Sequence, residues 1–352
     1  MPRSTNTPGS TIPVIAVTLG DPGGIGPEVV AKALADGDLR RRAAYRLLGP
    51  EAALRAAADR AGIAPFWVRV AFDAPPPSSG AVVVLDDPGK PPFKADHTRE
   101  GGEISFACVE RAIVDALRPT GDPRRVDAIV TGPISKKAWS LAGHGEFPGH
   151  TELLAARCGS ARYAMMFLTP RLRVILATTH LPLMRVGDVL TTARVREVIA
   201  LGAEACQRLG VARPRLAVCG LNPHAGEDGL LGTEDRDVIA PAVAAAAQTG
   251  IDCRGPFPGD TVFNAAVRSD FDLVVAMYHD QGLIPVKLLD RDAAVNVTVG
   301  LPIIRTSPDH GTAFDIAGRN KAAEGSMKTA IETAVRMAAS PPQSTLAPRP
   351  PG

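Results

Sequence analysis

Short, strongly apolar runs recur along the chain at residues 14–18, 81–85, 128–130, 173–177, 215–218 and 273–277. Interleaved with them are longer stretches with helical spacing or dense alanine, at residues 28–35, 51–61, 103–117, 193–209, 233–248 and 324–338. Strands alternating with helices predict βαβ units and a largely parallel sheet, hence an α/β protein. Residues 82–85 and 273–277 lack an apolar–polar alternation, which predicts strands covered on both faces. No repeat of solenoid period is present. Two segments fall outside the pattern. Residues 74–80 (APPPSSG) read as a loop, and the Pro-rich residues 341–352 read as a disordered tail. No stretch has linker composition, so two domains would be joined by shared strands.

Length and composition narrow the class. At 352 residues the chain is long enough for two domains. Hydrophobic residues make up 45% and charged residues 22%, ordinary globular usage that excludes wholesale disorder. Thirty-nine basic against 37 acidic residues provide no basic field for nucleic acid or an anionic membrane. No apolar run approaches the roughly 20 residues of a bilayer span. The first residues, MPRSTNTPGSTIP, lack the apolar core of a secretory signal. Five cysteines without a CxxC pair fit a reduced cytoplasm and imply no cysteine metal site.

Three features carry chemistry. Gly20-Asp21-Pro22-Gly23-Gly24-Ile25-Gly26-Pro27-Glu28 joins a strand to a helix start, where backbone amides favour anions. Its spacing is neither the dinucleotide fingerprint nor a P-loop, and a plain tight turn is the alternative. Next, His180, His224 and His279 each follow an expected strand or stand in a Gly/Pro-rich turn. In α/β sheets such loops bind ligands, and three protein ligands with an open position suit a catalytic divalent ion. Asp260 and Asp280 could ligate or orient an imidazole. Any one of these histidines alone would more commonly serve a turn; three in matching contexts favour a metal. Lastly, His150 and Thr151 precede a helix-like run, and Lys287, Asn296 and Arg305 follow at nine-residue steps through apolar surroundings. Cations there need a partner, and a small polyanion would serve. The alternatives are a helix cap at Thr151 and an internal ion pair or snorkelling chain at Lys287.

The ordered blocks GDPGGIGPE, TGPISKKAW, PGHTE, TTHLPL, LNPHAGEDG-LLGTE, GPFPGDTVF, AMYHDQG and VNVTVGLPIIRTSPDHGTAFDIAG resemble the PdxA family of 4-hydroxythreonine-4-phosphate dehydrogenases over nearly the whole chain. The resemblance implies an isocitrate/isopropylmalate dehydrogenase-like fold, with two α/β/α domains flanking a cleft. It divides the chain into residues 1–140 plus 306–340 and residues 141–305, the latter carrying the metal and the homodimer interface. His180, His224 and His279 match the metal ligands, the metal being zinc, magnesium or cobalt. His150, Thr151, Lys287, Asn296 and Arg305 match substrate-binding positions. Asp260 and Asp280 match supporting carboxylates, and Lys287 and Asp260 are the candidates for removing the hydroxyl proton. His310, Gly311 and Asp315 lie in a block similar to an adenosine loop, in which an Asp at position 315 favours NAD over NADP. Phe314 departs there from the Pro of the isopropylmalate branch.

The implied reaction is NAD-dependent oxidation of the C3 hydroxyl of 4-phosphooxy-L-threonine. Decarboxylation to 3-amino-2-oxopropyl phosphate follows, a step in pyridoxine phosphate biosynthesis. Three rivals stand beside it. Sister enzymes take 4-phospho-D-threonate or 4-phospho-D-erythronate, and residues 284–289 and 314–318 look like that branch. A metal-dependent hydrolase could use the same histidines, with the HGTAFDIAG block against it. Phosphate acyltransferases share the fold but need no histidine triad.

Overall fold

The computed structural model describes residues 12–77, 82–87, 89 and 91–340. The tail expected at 341–352 and the end of the loop expected at 74–80 lie outside them. The strands are β1 (Val14–Thr18), β2 (Ala44–Leu48), β3 (Trp67–Ala71), β4 (Val82–Asp86), β5 (Ala128–Thr131), β6 (Ala164–Leu168), β7 (Arg173–Leu176), β8 (Arg215–Cys219), β9 (Asp252–Phe257), β10 (Leu273–Ala276), β11 (Val295–Val299) and β12 (Ile304–Pro308). They form one sheet in the order β3-β4-β2-β1-β5-β12-β11-β6-β7-β10-β8-β9. Pairing is parallel from β3 through β12 and again from β7 through β9. Antiparallel links β12–β11, β11–β6 and β6–β7 join the two parallel regions.

Helices on both faces explain the unbroken apolar runs. In β1, Ile15 and Val17 enter one core cluster and Ala16 another, and all three are fully buried. In β10, Leu273 and Val275 face one way while Val274 and Ala276 face the other. Alternate side chains point to opposite faces of a strand, so a strand covered twice must be apolar throughout.

Local signals set the helix ends. The helix Glu51–Ala61 stops at Gly62, whose φ of 68° suits glycine and whose N–H caps the Ala58 and Asp59 carbonyls. Thr191 caps Thr192–Arg208 by accepting from the Arg194 amide. The helix Gly325–Ala339 packs back on β12, where Thr306 Oγ1 donates to the Ala330 carbonyl at 2.9 Å. The expected helix over 233–248 is present without a break, its first turn a π turn at Asp235–Ile239 that runs on into Ala240–Gln248. Pro241 has no N–H to donate and crowds the preceding turn, which widens it. Lys287 lies on a helix, His279–Asp290, that tolerates Pro285 inside it.

Among the described residues, no helix is long and apolar enough to cross a membrane. All five cysteines are free thiols.

Candidate active site

A cleft of about 460 Å³ opens between the loop after β5, the helix His150–Arg157, strands β11 and β12, and the loop after β7. It brings together six of the sequence candidates, His150, Thr151, His180, Asn296, Arg305 and His310.

Arg305 is the centre of this cleft. It is 3% exposed, yet among the described residues no carboxylate stands within ion-pair distance. Its Nε and Nη2 donate to Thr131 Oγ1 at 3.2 and 2.8 Å, and Nη1 donates to Thr298 Oγ1 at 3.0 Å. The β12 register places it opposite Thr298 of β11, with β5 ending in Thr131 alongside. Burial lowers its pKa to about 10, with Glu152 opposing, so it stays charged at neutral pH. A buried cation answered only by hydroxyls leaves charge for an anionic ligand to neutralise.

The neighbouring polar atoms are unanswered too. His150 Nε2, Asn296 Oδ1 and His310 Nε2 are buried without a hydrogen-bond partner. The His150 ring stands edge-on to Trp139 at 5.5 Å. Burial, then Arg305, then Lys136 hold its pKa well below the usual histidine range, so it is a neutral donor or acceptor. Thr151 is buried and is not the cap of its helix; Gly149 is. His310 Nδ1 lies 3.3 Å from the Gly311 carbonyl, and burial lowers its pKa.

The three metal candidates follow β7, β8 and β10, which are neighbours in the sheet and run parallel. His180 and His279 converge, with ring centroids 5.5 Å apart. His279 Nδ1 lies 2.7 Å from Asp280 Oδ1, which orients the ring. Burial, Lys136 and His279 lower the His180 pKa, so it is neutral and able to ligate. His224 does not join them. It is exposed, in a segment whose backbone winds left-handed through His224, Ala225, Glu227 and Asp228. Among the described residues of one chain, no three His, Cys, Asp or Glu side chains are grouped to hold a metal ion. The pair fits two positions of a divalent site.

The remaining candidates lie outside the cleft lining. Lys287 pairs with Asp309 Oδ2 at 3.2 Å, one residue from His310. Asp260 and Asp315 are exposed. A Cβ added at Gly311 would meet nothing within 4 Å, leaving room at that loop. A second cavity of about 420 Å³ is lined by the Gly-rich turn at Pro22–Gly24, the alanine face of the helix Glu51–Ala61, Arg60, Phe93 and Ala317–Gly318. This cavity, of mixed polar and apolar lining that includes Glu28 and Arg60, lies beside the 310–318 loop.

Three residues were missed in the sequence. Lys136 and Glu152 both line the first cleft. Lys136 sits within TGPISKKAW and Glu152 within PGHTE, but neither type nor spacing distinguishes them from surface charges. The third, Asp21, is buried in the Gly-rich turn, accepts from the Gly23 amide at 3.0 Å and leaves Oδ2 unpartnered. Burial raises its pKa to about 6.

Comparison with known proteins agrees with this architecture. The family model "Pyridoxal phosphate biosynthetic protein PdxA" matches residues 47–334. A D-threonate 4-phosphate dehydrogenase from Salmonella typhimurium is 44% identical over 340 residues, covering 92% of this chain and 98% of that protein. A 4-hydroxythreonine-4-phosphate dehydrogenase from Geobacter metallireducens is also 44% identical, covering 94% and 96% respectively. The crystal structure of a 4-hydroxythreonine-4-phosphate dehydrogenase from Klebsiella pneumoniae superposes with a TM-score of 0.79 at 43% identity, covering 93% of this chain and 99% of that one. Matched along almost its entire described length, the chain belongs to the PdxA family of dehydrogenases and is an oxidoreductase.

Proposed function

We propose that the protein oxidises the C3 hydroxyl of a 4-phosphorylated four-carbon acid with NAD and that the resulting β-keto acid loses CO₂. The observation that carries this reading is the buried Arg305 guanidinium, without a carboxylate, facing a cleft in which His150 Nε2, Asn296 Oδ1 and His310 Nε2 also lack partners. Such a set suits a small polyanion held at several points, which fixes the reacting carbon.

The chain's own residues divide the work. Arg305, with His150, Thr151 and Asn296, binds phosphate or carboxylate oxygens. Neutral His150 donates or accepts without adding charge. His180 and His279 hold a divalent cation (zinc, magnesium or cobalt), with Asp280 orienting His279. That cation, when bound, supplies Lewis-acid stabilisation of negative charge on substrate oxygen. Lys287 and Asp260 are the candidates for accepting the hydroxyl proton; Lys287 can do so only after its ammonium group leaves the Asp309 ion pair and gives up a proton. The cavity beside residues 310–318 takes the nicotinamide cofactor, and Asp315, exposed on that loop, is the candidate for its ribose hydroxyls and against a 2′-phosphate.

The site is completed in a homodimer, His224 coming from a second copy. Exposed apolar residues in each of the three histidine segments support this. Leu183 and Met184 are 62% and 88% exposed, Leu230 is 83%, and Ile284 and Leu288 are 65% and 84%. Apolar surface of this kind marks a protein interface.

The first substrate is 4-phosphooxy-L-threonine, giving 3-amino-2-oxopropyl phosphate for pyridoxine phosphate biosynthesis. The second reading, 4-phospho-D-threonate or 4-phospho-D-erythronate, is supported by a relative named D-threonate 4-phosphate dehydrogenase, which is as similar to this chain as the 4-hydroxythreonine-4-phosphate dehydrogenase is. The test supplies purified enzyme with NAD, a divalent metal and each acid in turn, following NADH and CO₂. Turnover of one acid that stops on chelation and returns with metal is expected. NADH formation from none of them, or full activity in verified metal-free protein, would sink the proposal.

A further inference from the structure

The loop after β5 brings a second cation into the cleft. Lys136 lines it together with Arg305, His150 and His180. Among the described residues it has no ion-pair or hydrogen-bond partner, although Glu152 lines the same cleft. Its backbone position is firmly set. Ser135 caps the helix Lys136–Leu141 by accepting from the Ala138 amide at 3.0 Å, and His97 Nδ1 lies 2.6 Å from the Ser135 hydroxyl. Lys136 is thus the first residue of a helix, where the peptide dipoles disfavour a positive charge. It shares the cleft wall with both His150 and His180, and a Cβ built at Gly149, next to His150, would lie 3.7 Å from Lys136 Cε. An unpaired cation, kept at a helix start and turned toward a cleft that already holds a buried guanidinium, is arranged for an anion rather than for stability.

We infer that Lys136 is a further substrate contact, its ammonium group binding an anionic group of the phosphorylated acid on the side of the cleft shared by His150 and His180. The inference rests on the proposed function above for the identity of the acid, but not for the presence of an anion site. Arg305 supplies a fixed, buried fork; Lys136 supplies a flexible point charge that can follow the substrate as it enters. A contact made equally in the bound and reacting states raises KM when removed and spares kcat.

The experiment compares Lys136→Met, Lys136→Arg and the neighbouring control Lys137→Met in the full-length, metal- and NAD-supplied enzyme. KM and kcat are measured with 4-phosphooxy-L-threonine and 4-phospho-D-threonate. Calorimetric affinities are measured for inorganic phosphate and for malonate, which stand for the two anionic groups of the acid. Lys136→Met should raise KM by about tenfold or more with kcat within about threefold. It should weaken one of the two probes by a similar factor, with Lys136→Arg recovering most of the loss and Lys137→Met unchanged. If the wild type turns over neither acid, the functional reading fails and the two probes alone decide the role of Lys136. Unchanged KM and probe affinities, a loss confined to kcat, or equal losses in Lys137→Met would overturn the inference.

Discussion

Arg305 sets function against stability within one side chain. Its guanidinium is buried with only threonine hydroxyls for company, so the folded protein carries desolvated charge until a ligand arrives. Arg305→Met should therefore leave the thermal midpoint unchanged or raise it, while weakening substrate binding by about a hundredfold or more. A lowered midpoint in calorimetry would show that the three hydrogen bonds outweigh the buried charge. Asp21 makes a second, pH-dependent case. Its folded pKa of about 6 lies above the ordinary 3.8, so the folded state holds the proton more tightly. Stability is then greatest at low pH, falls as pH rises from about 4 to about 6, and stays at the lower level above that, by at most about 3 kcal/mol. Asp21→Asn should flatten this slope, giving a higher midpoint than wild type near neutral pH and little gain near pH 4. The residue types of the anion site were legible because a cation in an apolar stretch demands a partner. Lys136 was not, because a lysine at a helix start reads the same whether it faces solvent or a cleft.

Many elements were legible, since a short apolar run without alternation suits a strand covered on both faces, as β4 and β10 are. The apolar runs single out β1, β4, β5, β7, β8 and β10 but not β2, β3, β6, β9, β11 and β12, and proline alters two helices. Pro241 accompanies a π-widened first turn of the expected helix over 233–248, and Pro285 sits within a helix that its ring would ordinarily discourage. Close approach of elements was hidden as well. A Cβ on Gly102 would lie 2.1 Å from the Ala138 carbonyl oxygen, so only glycine lets the helix Arg99–Ala116 rest against the one that begins at Lys136. Gly102→Ala should destabilise the fold by about 1–3 kcal/mol through overpacking. It should also raise substrate KM by displacing Lys136, which urea unfolding and steady-state kinetics would read separately. Wild-type stability would show that the two helices slide apart freely.

For the whole molecule, the histidine set is the decisive feature. Two rings meet within one chain and the third stands apart in the next loop of the sheet. If a second copy supplies His224, then His180→Ala and His224→Ala are each inactive alone. Mixed and reassembled, they should form heterodimers with one intact site, recovering about a quarter of wild-type activity for random pairing in a twofold dimer. Metal content measured on the same mixture should rise in step. No recovery, in a mixture shown by native mass spectrometry to contain heterodimers, would place all the ligands in one chain.

Sequence alone determined the α/β class, six of the strands, the long helices and several of the residue types at the cleft, because burial and periodicity act locally and leave their mark on composition. Only the tertiary structure decided which candidates share a cavity. It set Arg305 against Thr131 and Thr298, drew in Lys136 and Glu152, and left His224 and Asp260 outside, because convergence depends on strand order and register between segments far apart in the chain.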